Sequence, residues 1–236
     1  ANVGISMGAT GHSVARSVAD VVLTQDDLQG VVTAVSQGRT IYRNIRKSLR
    51  FLISTNLTEI EIMFVVMLTL GREALNPMQL LWINLITDIF PALALALEGP
   101  EMDVLKEAPR DPKREILNQR DLNGLLKQSL VISGCALIPP LLSIQHRGVD
   151  AGQTRSLLFF SLVCGQLLHT LSCRSEKKGC LNSQHPSNPS MKWAVAGGLL
   201  LQALVFKSRT LSQIMKLTPL SRGEVLTGLL SAGGSL

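Results

Sequence analysis

Charge and aromatic rings are scarce in this chain. Only 17% of its 236 residues are charged and 4% aromatic, with two Trp and one Tyr. The charged share lies below the roughly 25% usual in soluble domains, which argues against a wholly soluble protein. So few Trp and Tyr leave the aromatic belts of a membrane interface weakly marked. No stretch alternates basic and aromatic residues, so the net charge of +6 does not read as nucleic-acid binding. The basic residues sit instead at the ends of apolar runs, where they set topology. The four cysteines, Cys135, Cys164, Cys173 and Cys180, show no C-x-x-C spacing. Cys173 and Cys180 with His169 and His185 make a nominal zinc set, but the spacing fits no standard ligand pattern; thiols buried in or beside a membrane are the plainer reading. The opening residues read as neither a signal peptide nor an initiator, and the expectation is that further sequence precedes Ala1.

What the chain has is apolar length. Hydrophobic residues make up 46% of it, and the mean hydropathy is positive. Residues 1 to about 40 read as soluble α/β: a strand from Val3 to Gly8, a helix from Ser13 to Ala19, a strand from Ala19 to Thr24. Asp26 or Asp27 then caps a long helix. Two short strands and one helix cannot bury a core alone, so this segment is expected to pack on something else. The long helix passes Arg39, Arg43, Arg46, Lys47 and Arg50 into the first apolar span, about 49–70. Such a basic collar points to the cytoplasmic side. Further spans are expected at about 80–97, 128–145 (bent at Pro139-Pro140), 155–172, 191–206 and 220–236, the last a little short. Six spans starting inside place the basic stretches 98–127 and 173–192 in the cytoplasm; Lys207, Arg209, Lys216 and Arg222 break that pattern.

Two polar clusters interrupt the apolar runs. FLISTNLTEIEIMFVVMLTL holds Asn56 and Glu59; LLWINLITDIFPALALAL holds Asn84, Thr87, Asp88 and Pro91. Ionised and amide side chains in mid-membrane are costly and mark an ion pathway or substrate site by default. At about 100° per residue, Asn56 and Glu59 share one helix face, as do Asn84, Thr87 and Asp88. Facing each other, the two helices would offer two carboxylates, two amides and a hydroxyl, an all-oxygen set suited to a hard cation such as Ca²⁺. The plainer alternative is that these groups only hydrogen-bond neighbouring helices. Glu61, about 160° around the helix from Glu59, cannot easily join the same site and reads as an interhelical contact or a protonatable group. Pro91 removes a backbone donor one turn beyond Asp88 and should loosen the helix there.

These segments resemble the C-terminal part of P-type ATPases, most closely the type II calcium-pump branch. VGISMGATGHSVARSVADVVLTQDDL is similar to the end of the family's phosphorylation domain, and GRTIYRNIRKSLRFLISTN to the stalk entering the fifth membrane helix. NPMQLLWINLITDIFPALALALEGPE resembles the sixth helix with its preceding loop, EAPRDPKREIL the loop after it, and SCRSEKKG the exit of the eighth helix. The resemblance implies a mainly α fold: a multi-span transmembrane bundle (helices five to ten of a pump) over residues 41–236. A short α/β remnant of the HAD-like phosphorylation domain would occupy residues 1–40. It implies that Asn56, Glu59, Asn84, Thr87 and Asp88 bind the transported ion. Sodium-potassium pumps have Asp where Asn84 stands, which favours Ca²⁺. Two-ion calcium pumps have Glu at the position of Gln166; an amide lacks the charge to balance a second divalent ion. One ion per cycle is therefore expected, or another cation such as Mn²⁺.

The motifs this family uses for catalysis are missing. There is no DKTGT, no GDGVNDAP and no nucleotide-binding segment. The residues present supply no phosphate acceptor and no Mg²⁺ or ATP site, so phosphoryl transfer would depend on a preceding part of the pump. Expected partners are membrane lipid and that N-terminal part. Expected localisation is the plasma membrane, with the N-terminus cytoplasmic. A non-catalytic binding or scaffold module derived from a degenerate pump is the alternative reading.

Overall fold

The computed structural model describes residues 2–100, 104–106, 108–111, 113, 115–147, 150–174 and 188–235. The chain divides into two units, residues 1–43 with 100–110, and residues 44–99 with 111–236. In the first unit, strands β1 (Ile5–Met7) and β2 (Val21–Leu23) pair in parallel, Ile5 opposite Val21 and Met7 opposite Leu23. Helix α1 (Ser13–Val18) is the crossover between them. The β-branched Ile5, Val21 and Val22 favour the two strands. The turn after β1 is tight: a Cβ on Gly11 would lie 1.9 Å from the Met7 carbonyl oxygen, which leaves room only for glycine. Asp26 fastens this turn, accepting from the amides of Ala9 at 2.9 Å and Thr10 at 2.6 Å. Asp27 takes the capping role, accepting from the Gln29 amide at 2.9 Å. Either Asp qualified as the cap by residue type; the turn's need for an anion on its amides separates them. Val3, Ile5, Val18, Val21 and Val22 remain exposed, as a sheet of two short strands must leave them.

Helix α2 (Gln29–Leu70) runs 42 residues without a break and belongs to the first unit up to Arg43 and to the second from Asn44. It stops at Gly71, whose φ of 61° is the left-handed conformation that ends many helices. A short loop leads to α3 (Pro77–Ile83). Asn76 and Gln79 cap α3 reciprocally, each side chain bonding the other's backbone amide at 2.9 Å, and Pro77 fills the first turn. Both side chains also donate to the Met215 carbonyl, at 2.8 and 3.2 Å. The span then continues as a π-helical segment, Asn84–Ile89, and closes with α4 (Phe90–Ala96).

Helix α5 (Gln119–Arg147) carries on helically through Pro139 and Pro140. Helices α6 (Ala151–Ser172), α7 (Pro189–Lys207), α8 (Arg209–Ile214) and α9 (Arg222–Gly233) follow. Asn188 caps α7. Ser221 and Glu224 form a capping box on α9, where Glu224 also accepts from Gln153 of α6 at 2.8 Å.

The α2, α3–α4, α5 and α7 segments are long and apolar enough to cross a membrane, among the described residues. They coincide with four of the six expected spans. At 22 residues α6 has the length but falls outside that set; Gln153, Arg155, Gln166 and His169 dilute its apolar character. It is largely buried within the second unit. Within 220–236, where the last and shortest span is expected, α9 is 12 residues long, with Gly233 its last. That is short of the roughly 20 apolar residues a crossing takes. The core gathers Ile62 and Val66 of α2, Ile83 of α3, Leu158, Phe159, Leu162 and Leu167 of α6 and Val205 of α7. Gly198 of α7 lets two helices approach closely: a Cβ there would meet Leu167 at 2.8 Å and Ile86 at 3.4 Å.

The Asp26 turn carries a pH signature. The Thr10 hydroxyl and the Ala9 amide hold its carboxyl below the ordinary value of 3.8. A depressed acid stabilises the fold above its unfolded value, and this contribution disappears as pH falls through the folded one. Protection of the Ala9 and Thr10 amides against hydrogen exchange, measured relative to the intrinsic rate at each pH, should fall selectively on acidification and in Asp26→Asn at neutral pH. Equal protection in the variant would refute the assignment.

Candidate intramembrane cation site

The sequence-derived polar residues converge where α2, the π-helical segment and α6 meet. Asp88 is 9% exposed and Glu59 8%, while Thr87, Thr55 and Gln166 are fully covered. Buried carboxylates need donors around them, and each has them. Asp88 accepts from the Thr55 hydroxyl at 3.2 Å on Oδ1 and from the Asn56 amide at 3.1 Å on Oδ2. Glu59 Oε1 accepts from Gln166 Nε2 at 3.2 Å. The same amide nitrogen lies 3.4 Å from the Thr55 carbonyl. On its other side, Gln166 Oε1 accepts from the Thr87 hydroxyl at 2.9 Å. One glutamine thus joins Glu59 on α2 to Thr87 on the π-helical segment.

The backbone around Asp88 explains how Thr87 and Asp88 both turn inward. In a π-helix the hydrogen bonds reach one residue further than in an α-helix, which widens the turn; such turns are frequent at functional sites. Asn84, Thr87 and Asp88 all lie in this segment, and Pro91 stands just beyond it in the first turn of α4. The loosening expected of Pro91 is present as a wide turn. Ile86, Thr87 and Asp88 are buried, whereas Asn84 and Asn56 lie on the exposed side of their helices. Asn84 is therefore in the right segment but apart from the buried carboxylates, and Asn56 touches the cluster through its amide nitrogen.

As donors to a hard cation, the group offers the Glu59 and Asp88 carboxylates, the Thr87 hydroxyl and the Gln166 amide oxygen. Rotation of the Asn56 amide would present a further oxygen in place of nitrogen. No cluster of three or more His, Cys, Asp and Glu occurs among the described residues. Chemistry here therefore rests on two carboxylates supported by neutral oxygens.

Glu61 belongs to a different contact. It points at α5, where Ser129 donates to Oε1 at 2.6 Å and Ser133 to Oε2 at 2.8 Å. Ser129 and Ser133 are four residues apart, on one face of α5. Of the nominal zinc set, the Cys173 sulfur meets His169 Nε2 at 3.3 Å, and Cys180 and His185 lie outside the described residues. Sequence reasoning missed Thr55, although its position four residues before Glu59 puts it on the same face.

A multi-helix membrane bundle with carboxylates, amides and hydroxyls gathered between its helices is the inner part of an integral membrane protein, built around ionisable groups that membranes otherwise exclude. A family model described as "Cation transporting ATPase, C-terminus" matches residues 72–236. The chain is 35% identical over 226 residues to a calcium-transporting ATPase of Bacillus subtilis, covering 95% of this chain and 25% of that protein. It is 32% identical over 234 residues to calcium-transporting ATPase type 2C member 2 of Rattus norvegicus, covering 98% and 25%. To calcium-transporting ATPase 1 of Schizosaccharomyces pombe it is 30% identical over 226 residues, covering 96% and 25%. The chain belongs to the cation-transporting P-type ATPases and corresponds to their C-terminal membrane segment, about a quarter of the length of these relatives.

The Gln166 bridge can be tested directly. Gln166→Leu leaves Glu59 Oε1 without its buried donor, a loss of about 1–3 kcal/mol, whereas the Thr87 hydroxyl keeps its bond to the Ile83 carbonyl at 2.9 Å. Thermal unfolding of the chain in lipid should shift down accordingly. An unchanged midpoint would show that the amide is not a bridging partner.

Proposed function

We propose that this chain is the ion-translocating C-terminal segment of an ATP-driven cation pump, that its transported ion is Ca²⁺, and that Glu59, Asp88, Asn56, Thr87 and Gln166 provide the oxygens that hold it. The observation that carries this reading is the buried pair Glu59 and Asp88, joined through Gln166 and Thr87 at a π-helical turn in mid-span. Two carboxylates balance one divalent charge, and neutral oxygens complete the shell of a hard cation. Relatives named as calcium-transporting ATPases support Ca²⁺ over other ions. Mn²⁺, close in charge and ligand taste, is the competing cargo.

In this reading the donors now on the carboxylates stand in for the cation. Thr55, Asn56 and Gln166 offer hydrogen to oxygens that an ion would otherwise occupy, so filling the site exchanges hydrogen bonds for metal–oxygen bonds without leaving a bare charge. Gln166 is neutral, so the site has charge for one divalent ion rather than two. ATP and Mg²⁺ would act through a preceding part of the pump, with residues 1–40 as the end of its phosphorylation domain. The basic residues before the first span fit a cytoplasmic N-terminus, in the plasma membrane.

In the intact pump carrying this segment, Asp88→Asn should abolish cation-dependent phosphorylation by ATP while phosphorylation by inorganic phosphate survives. Normal transport by that variant would remove Asp88 from the site. Equilibrium binding should saturate at about one divalent ion per pump, as the charge count of two carboxylates requires; an isotherm with two tight Ca²⁺ ions would count against the role given to Gln166.

A further inference from the structure

The α4 span ends in a buried polar knot that the cation site does not use. The last carbonyls of a helix have no partners within it. Here the Asn44 amide donates to the carbonyls of Ala96 at 3.1 Å and Glu98 at 2.7 Å, and the Asn188 amide donates to that of Ala94 at 2.8 Å. Just beyond them, the Glu98 side chain is 0% exposed. Arg174, two residues past the end of α6, grips its Oε1 with Nε at 2.9 Å and Nη2 at 2.6 Å. Its Oε2 is buried with no hydrogen-bond partner among the described residues.

A buried ion pair matched through one carboxylate oxygen is a poor stabiliser, because desolvation offsets most of the Coulomb attraction. Its geometric effect is larger. The span that holds Asp88 and helix α6 are already tied within the cation site by Thr87 and Gln166. Glu98 and Arg174 tie the same two stretches of chain again, 11 residues (98 − 87) and 8 residues (174 − 166) further on. One tie leaves two helices able to slide and tilt about it. Two ties at different heights fix their axial register.

We propose that Glu98 and Arg174 are positioning residues, which hold the α4 span in register with α6 and so keep Thr87 and Asp88 opposite Gln166 and Glu59. The proposal rests on the reading of Glu59 and Asp88 as the cation site. Disturbance of the pair loosens the arrangement of the cation's oxygens without removing any of them, so affinity falls while chemistry remains.

The test uses the intact pump and reads cation-dependent phosphorylation by ATP. Glu98→Gln and Arg174→Met should each raise the half-saturating cation concentration roughly fivefold or more. The maximal phosphorylation level and phosphorylation by inorganic phosphate should be unchanged. The charge-exchanged pair, E98R with R174E, should bring half-saturation back toward the wild-type value. A role confined to folding would lower the maximal level and leave half-saturation where it was. Unchanged half-saturation in both single variants, or no recovery on charge exchange, overturns the proposal. A second measurement is independent of any cation response. Spin labels at Leu93 and Leu168, on the 236-residue chain in lipid bilayers, should give one narrow distance distribution that broadens in both single variants. A distribution that stays narrow overturns the register tie even if the cation site is right; broadening in a pump that shows no cation dependence would support the tie and sink the cation reading instead.

Discussion

A carboxylate inside hydrocarbon must be met by hydrogen-bond donors or by a cation, and the arrangement of the second unit follows from that demand. Glu59 and Asp88 lie on different helices, so the groups that satisfy them have to come from neighbouring elements. Gln166 does so from α6, Thr55 and Asn56 from α2. This is why α6 carries a fully buried glutamine among its apolar residues: it brings an amide to the carboxylates. The same demand explains the two serines of α5 opposite Glu61. Each acid is answered by its own set of donors.

Much of this was legible in the residues. Apolar runs with polar interruptions gave the first two spans, and helical spacing put Glu59 and Asp88 on inward faces and Glu61 on another. The family-like segments at 3–28, 38–56 and 76–101 pointed to the C-terminal part of a P-type ATPase before any helix was placed. What escaped was decided by packing between distant parts of the chain. Thr55 was passed over because a hydroxyl in a helix is usually satisfied by its own backbone, as Thr55 is by Phe51 and Leu52 as well. The π-helical segment has no composition of its own; Pro91 hinted at loosening but not at its form. The split of roles between Asp26 and Asp27 depended on where the amides of Ala9 and Thr10 came to lie.

The first unit works by a different economy. Its strands are short and its valines exposed, and its order comes from local fastening: a glycine where no side chain fits, and an aspartate on two loop amides. Within it, the Arg39 guanidinium donates to the Val104 carbonyl at 2.9 Å, and the Arg110 guanidinium stacks 4.2 Å over the Tyr42 ring. Two cationic side chains thereby join Val104 and Arg110 of the stretch after α4 to the first half of α2.

The π-helical turn also sets a phase. An α-helix advances about 100° per residue, so one residue gained or lost rotates everything beyond it by that angle. The extra residue within Asn84–Ile89 thus determines which way each later side chain of the span faces, including Glu98 fourteen residues (98 − 84) past its start. Shortening the segment by one residue would make a straighter helix with better backbone bonds. It would also turn Glu98 about a quarter of the way round the axis from Arg174. Irregularity at the carboxylate and alignment at the far end of the span are therefore one property of the chain, counted in residues.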